Sequence, residues 1–299
     1  MSDTRASLRH KIDSAGELRS VVRTMKAVAS SSIVQYERSV AALADYARTV
    51  ELGLSVCLRH ADASDVPDGA RTAAHSGPTA AIVFGSDQGL VGQFNDTIAD
   101  HAVQALADVP GPVKVWAVGD RVQARLADAG RASSGLFAVP AAVGAISALV
   151  TQILVATDPP DGNPRLAELY LFHNRPGSGL PGGGALYAPV TERLLPLDAA
   201  WRRGLMQRHW PTHALPEVLG SGTTTLAALI GEYLFVCLFR ACAESLASEN
   251  ASRLAAMQRA EKNIDDVLDG MKTTSNRLRQ SSIDEELFDV VSGFEALSH

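Results

Sequence analysis

Residues Ser248 to Gly293 read SENASRLAAMQRAEKNIDDVLDGMKTTSNRLRQSSIDEELFDVVSG. These 46 residues contain no proline and only one interior glycine, Gly270. An ordinary globular helix has roughly 8 to 20 residues, whereas a much longer periodic pattern is typical of a coiled coil, a membrane span or a helical repeat. A membrane span needs about 20 mostly apolar residues, and charged residues recur here every few positions. The stretch therefore predicts a long helix that packs on another segment of protein.

The 14 prolines divide the chain into three parts, because all of them lie between Pro67 and Pro216. Since proline breaks helix interiors, we predict a helix in residues 1–60, a compact domain in 61–216 and a second helix in 217–299. Net charge also differs among the parts: 9 Lys+Arg stand against 6 Asp+Glu (+3), then 11 against 14 (-3), then 7 against 13 (-6). At 1.5 Å per residue, helices of this length would extend beyond a domain of about 150 residues.

Both ends carry an apolar stripe at mostly three- and four-residue spacing, which is the pattern of a diluted coiled coil. The first stripe slips only around Leu18 and Arg19, and in the second Ala260 or Glu261, Ser275 and Ser282 replace large residues. Because the stripes match and the net charges are opposite, we expect the two helices to pack antiparallel. The stripe residues are Leu8, Ile12, Ala15, Val22, Met25, Ala29, Ile33, Tyr36, Val40, Leu43, Ala47, Val50 and Leu54 in the first helix, and Leu254, Met257, Ile264, Leu268, Met271, Leu278, Leu287, Val291 and Phe294 in the second.

Strand-like and helix-like segments alternate in the middle of the chain. We predict strands at 80–84 and 113–118, helices from about Asn95, before Gly130 and at 141–156, and two later strands in LAELYLFHN and ALYAPVTERLLPL. Such alternation favours an α/β layer with a largely parallel sheet. The predicted fold is thus a Rossmann-like α/β domain flanked by a long antiparallel coiled coil.

No catalytic, cofactor or metal site emerges from the sequence. The turn Gly85–Gly92 lacks the glycine spacing and the following Lys of a phosphate loop, so we predict a structural or partner-contacting turn. Pro211 separates His209 from His213 and disfavours the helix that would bring both rings onto one metal. A net charge of -6 argues against a general nucleic-acid binder, and three irregularly spaced cysteines indicate reduced thiols.

Three segments resemble, in order and over nearly the whole chain, the gamma subunit of F-type ATP synthases. They are LRHKIDSAGELRSVVRTMKAVAS near the start, GSDQGLVGQFN in the middle, and SLASENASRLAAMQRAEKNIDDVLD with SNRLRQSSIDEELFDVVSG at the end. The resemblance implies a central shaft, made of an antiparallel coiled coil inside a ring of three alpha and three beta subunits, with an α/β domain at its base. Two departures mark a divergent branch: SSIVQYERSV replaces a more basic run, and Asp284 stands where Thr is commoner.

The resemblance implies that the chain mechanically couples ion flow through a membrane ring to ATP synthesis or hydrolysis. It also implies a role in regulating ATPase activity. The chain supplies no catalytic group of its own. The implied partners are the alpha, beta and epsilon subunits and the membrane c-ring, with no nucleic acid and no direct insertion into the membrane. The implied location is the cytoplasmic face of the cell membrane, as a peripheral part of the synthase.

The partner-binding residues that the resemblance implies are Met25, Lys26, Arg279, Gln280, Asp284, Val291 and Phe294. By family motif, Arg279 and Gln280, with Met25 and Lys26 on the opposing arm, are expected to face an acidic loop of the beta subunit. Asp284 lies one helical turn beyond Gln280, where it would repel that loop or pair with Arg279. Two alternatives stay open: an α/β nucleotide-binding enzyme with helical arms, and a coiled-coil adaptor unrelated to ATP synthesis.

Overall fold

The computed structural model describes residues 5–60, 77–157, 166–177, 185–214, 216–218 and 221–297. In chain order its elements are α1 (Arg5–His60), β1 (Thr79–Phe84), α2 (Phe94–Ala107), β2 (Val113–Val118), α3 (Asp120–Asp128), β3 (Gly135–Phe137), α4 (Val143–Thr157), β4 (Glu168–Pro176), β5 (Tyr187–Leu195), α5 (Ala199–Met206) and α6 (Gly222–Leu297). Most of the predicted elements are present near their expected limits. β3 and α5 were missed because three and eight residues are too short for a clear periodic signal.

The five strands form one sheet in the order β3-β2-β1-β4-β5. β1 pairs parallel with β2 and with β4, and β2 pairs parallel with β3, whereas β5 is antiparallel to β4. The sheet is therefore mixed but largely parallel, as the alternation of strands and helices predicted. Its order was not readable from the sequence, because periodicity does not say which strands become neighbours.

Helices cover both faces of the sheet. All six residues of β1 are buried, and since alternate side chains point to opposite faces, this strand supplies two cores. Ile82 and Phe84 pack with α4 and α6, whereas Ala81 and Val83 pack with α2 and α3. The continuous apolar sequence of β1 is typical of a parallel strand buried on both sides.

The chain divides into two compact units, Met1–Ala29 with Arg253–His299 and Ser30–Ser252. The larger unit contains the sheet, and the smaller consists of the first part of α1 and the last part of α6. The domain limits at residues 60 and 216 stay a prediction.

α6 also contains a window of 18 residues with a mean hydropathy of 1.8, apolar enough by length and composition to cross a membrane. A core helix passes the same test. Leu238, Ala241 and Cys242 of this helix are buried in the core over the sheet. Packing on the sheet thus accounts for part of the apolar character, since 39% of the window is buried.

Candidate partner-binding surfaces

The two helices of the smaller unit pack along the predicted stripe. Leu8, Val22, Met257 and Leu268 are all buried there, and Ala29 is 1% exposed. At the slip in the pattern, Leu18 is 54% exposed and Arg19 occupies the less exposed position. The stripe positions therefore identify the contact surface, with a basic residue at its irregular point.

Ion pairs show the direction and register of this packing. Arg19 Nη1 lies 3.1 Å from Asp265 Oδ1, and Arg23 Nε lies 2.8 Å from Glu261 Oε1. Four residues forward along α1 are thus matched by four residues back along α6, so the helices run in opposite directions. The same register places Arg5 opposite about residue 279.

Glu261 holds two cations of α1, since Lys26 Nζ lies 2.6 Å from its Oε2 while Arg23 contacts its Oε1. Hydrogen bonds from Lys26 and then Arg23 lower the pKa of Glu261, and the hydrogen bond to Glu261 raises the pKa of Arg23. Sequence reasoning missed this cluster, although Glu261 was noted as a charged residue within an apolar stripe. This charged residue in the apolar stripe was the signal that could have predicted the cluster, because a charge at a contact position between two helices needs a partner.

The predicted contact residues fall into two separate groups. Met25 and Lys26 are half-buried on α1, whereas Arg279, Gln280 and Asp284 are exposed on α6. At the observed register Met25 and Arg279 are about 20 residues, or roughly 30 Å, apart along the helices. The structure therefore does not bring the two groups together.

The apolar stripe residues of α6 are exposed after Ser282. Leu278 and Ser282 are half-buried, but Leu287 is 62% exposed and Val291 is 48% exposed. Here the expectation of one continuous stripe was wrong, because at this register α6 has passed the described residues of α1. The side chain of Phe294 lies outside the part of the chain whose side chains are described.

An exposed apolar surface follows at the end of α6, formed by Ile283, Leu287, Phe288, Val290 and Val291. At 100° per residue, most of these side chains lie on a different face from the half-buried Leu278 and Ser282. The surface therefore lies on a different face from the apolar stripe that packs on α1.

The turn Gly85–Gly92 is held by its own neighbours in the larger unit. Asp87 accepts hydrogen bonds from the backbone N–H groups of Asp120 and Val139, at 3.0 and 2.9 Å. The Ser86 N–H donates to Asn95 Oδ1, and the Gly85 N–H donates to the Val118 carbonyl. A phosphate cradle needs free backbone N–H groups, whereas those of Gly85 and Ser86 are engaged within the protein.

Gly85 is required by this packing, because a β-carbon there would lie 2.3 Å from Val122 Cβ. Beyond it, Leu90 has a φ of 62° and its side chain is 62% exposed. The turn thus has a fixed base and an apolar tip, which fits the predicted structural or partner-contacting role.

Among the residues that the structure describes, no group of three or more His, Cys, Asp or Glu side chains is placed to hold a metal ion. His209 and His213 are both exposed and lie outside any helix. The three cysteines, Cys57, Cys237 and Cys242, are buried and unpaired with one another.

This chain is similar to known proteins over almost its full length. The family model described as ATP synthase matches residues 4–297. The ATP synthase gamma chain of Granulibacter bethesdensis is 28% identical over 97% of this chain and 98% of its own, and that of Micrococcus luteus is 26% identical over 97% of each.

Solved structures share the fold at low identity. A chain of the mitochondrial ATP synthase of Euglena gracilis, in a structure of OSCP, F1 and the c-ring, matches with a TM-score of 0.59 and 15% identity over 98% of this chain and 94% of its own. A chain from the central stalk and c-ring of the Tetrahymena thermophila enzyme matches with a TM-score of 0.54 and 18% identity over 80% of this chain and 99% of its own. With its long terminal helices, mixed five-stranded sheet and full-length family match, the chain belongs to the ATP synthase family whose curated relatives are gamma chains.

Proposed function

We propose that this chain is the central-shaft subunit of an F-type ATP synthase, which couples ion flow across a membrane to ATP synthesis or hydrolysis. The observation that carries the proposal is that gamma chains align with 97% of this sequence, including both long helices. In this role the paired ends of α1 and α6 form an antiparallel coiled coil, and the sheet with its helices forms a Rossmann-like base.

The exposed apolar surface at the end of α6 supports a shaft inside a sleeve. Five large apolar side chains lie there within nine residues, and a contiguous exposed apolar patch commonly marks an interaction site. A ring of three alpha and three beta subunits would cover this surface, with Val291 and Phe294 among the covered residues. Apolar contacts have no preferred direction, so such a bearing permits rotation.

Arg279 and Gln280 are the residues we assign to the contact with an acidic loop of a beta subunit. Both are exposed, and a guanidinium binds a carboxylate with two charge-assisted hydrogen bonds. Asp284, one turn away and also exposed, would weaken this contact by repelling the same loop. Met25 and Lys26 would make a second contact, for which Lys26 has to exchange Glu261 for the partner's carboxylate.

In this proposal the chain itself is not catalytic, and ATP is turned over by the beta subunits. The engaged N–H groups of Gly85 and Ser86 support this assignment, because they are not free to bind phosphate. The epsilon subunit and the membrane c-ring would bind the base, at the cytoplasmic face of the cell membrane. The chain would be peripheral there, without a segment in the bilayer.

Co-expression with the alpha and beta subunits of the same organism tests the assignment. We expect the three chains to co-purify as one complex with ATPase activity. A stable partner other than an alpha/beta ring would favour an adaptor, and micromolar binding of magnesium-ATP by the isolated chain would favour an enzyme.

The contact residues are tested in that complex. Arg279→Ala with Gln280→Ala should leave assembly intact but change the ATPase rate or its coupling to ion transport. Arg277→Ala is the matched control, because Arg277 is exposed on the same helix but points about 200° away from Arg279. Wild-type turnover and coupling in the double variant would show that these residues do not contact the beta subunit.

A further inference from the structure

Four charged side chains alternate in sign between α6 and two strands of the larger unit, joined by three ion pairs and closed by the attraction between Arg240 and Glu244. Arg175 on β4 donates from Nε to Glu244 Oε2 at 2.9 Å and from Nη2 to Glu192 Oε1 at 2.5 Å. Arg240 Nη2 donates to the other oxygen of Glu192 at 3.0 Å. Arg240 and Glu244 are four residues apart on α6, so they lie on one face of the helix. We call Arg175, Glu192, Arg240 and Glu244 the charge ring.

His173 supports the charge ring from within the sheet. Its side chain is fully buried, and its Nε2 lies 2.9 Å from the same Glu244 oxygen that Arg175 contacts. Burial by itself would raise the pKa of Glu244, but the hydrogen bonds and the charge attraction from His173 and Arg175 together outweigh it and lower the pKa. Since an ionised carboxylate has no proton to donate, Nε2 carries the hydrogen of this contact.

The charge ring is partly shielded from water. The side chains of Glu244 and Glu192 are 13% and 18% exposed, and those of Arg175 and Arg240 are 33% and 41% exposed. Burial lowers the pKa of Arg240, but attraction to Glu192, Cys237 and Glu244 and the hydrogen bond to Glu192 together outweigh it, so the pKa is raised. The two positive and two negative groups balance, so each depends on its neighbours for compensation of its charge.

Most other contacts of α6 with the sheet are apolar and small, apart from the hydrogen bond that Ser248 Oγ donates to the Asn174 carbonyl at 2.9 Å. Ala241, Cys242, Ala243 and Ala247 are buried there, beside Leu238 and Leu246. The free energy of such burial depends on area rather than on direction, so it resists separation of helix and sheet more than rotation or sliding. Hydrogen bonds weaken steeply when their angles change. The charge ring therefore supplies most of the directional interactions in this contact, with His173 and Ser248 adding one hydrogen bond each.

We propose that the charge ring locks α6 to the sheet against rotation about its axis and sliding along it, so that a turning load on one is delivered to the other. The inference rests on the proposed function, since a rotor carries such a load. Arg175, Glu192, Arg240 and Glu244 are then positioning residues for mechanical coupling.

Spin labels on the isolated full-length chain test the lock directly. Ala228→Cys on α6 and Lys114→Cys on β2 provide two exposed labelling sites, while the native thiols are buried. We expect the label distance distribution to broaden in Glu192→Gln and in Arg240→Gln. Arg240→Lys should stay close to wild type, because one ammonium can replace the single observed bond. Arg193→Gln is the matched control, as it removes a β5 ion pair with Asp198 outside the charge ring.

The number of ions that the assembled complex pumps per ATP tests whether the charge ring transmits the turning load. With Arg240→Gln we expect the number of ions pumped per ATP to fall about twofold or more, since the remaining charges lose their compensation, while Arg193→Gln keeps the wild-type ratio. An unchanged distance distribution in both ring variants would overturn the lock. A lower melting temperature with a wild-type pumping ratio would show a purely structural role and would overturn the load-bearing role. Failure of the wild-type chain to join an alpha/beta ring would instead contradict the proposed function, while the label distances still test the lock.

Discussion

Leu268 and Leu287 offer a matched test of which residues hold the paired helices and which bind a partner. Both are leucines of α6, but Leu268 is 2% exposed and Leu287 is 62% exposed. We expect Leu268→Ala to lower the free energy of unfolding of the isolated chain and Leu287→Ala to leave it almost unchanged.

The magnitudes follow from burial. A buried Leu→Ala change costs about 2 to 5 kcal/mol, because the transfer free energy and the cavity both count. Two helices can close part of a cavity by moving together, so we expect about 2 to 3 kcal/mol for Leu268→Ala. Substitution of an exposed residue usually stays within about 0.5 kcal/mol, which is our expectation for Leu287→Ala.

Urea unfolding followed by circular dichroism measures the total change, and native-state hydrogen exchange assigns it to α6. In the assembled complex we expect the opposite order for binding: Leu287→Ala should weaken the binding of the chain to the alpha/beta ring more than Leu268→Ala does. Equal destabilisation by both substitutions, or a loss of less than about 0.5 kcal/mol for Leu268→Ala, would refute the assignment of Leu268 to the contact between α1 and α6.

Three further results are expected from the isolated chain. Gly85→Ala should cost about 1 to 3 kcal/mol of stability in thermal unfolding, because the new methyl group would lie 2.3 Å from Val122 Cβ, whereas Gly144→Ala meets nothing within 4 Å and should be neutral or stabilising. The lowered pKa of Glu244 means that its contribution is present above the unfolded value near 4.5 and is lost as the pH falls through the folded value. Urea midpoints of wild type should therefore drop more than those of Glu244→Gln between neutral and acidic pH, and parallel curves would contradict this. Burial raises the pKa of all three thiols, so a thiol reagent at mildly alkaline pH should react only on unfolding, and rapid labelling of the native chain would disprove their burial.

The local features of this protein follow from its sequence. Absence of proline marks the two long helices, and the three- and four-residue spacing marks the contact positions from Leu8 to Ala29 and from Leu254 to Ser282. The buried strand at Ala80 and the alternation of elements predict an α/β layer. These features could be predicted because helix and strand periodicities are written within a few neighbouring residues.

Other features depend on which distant segments meet, and only the tertiary structure decided them. The sheet order, the outward position of Leu287 and the pairing of Lys26 with Glu261 all follow from register and burial, which local spacing does not contain. The charge ring is the clearest case, since Arg175 and Glu244 lie 69 positions apart in the chain. Each is an ordinary charged residue in the sequence, and the ring exists because β4, β5 and one turn of α6 pack together.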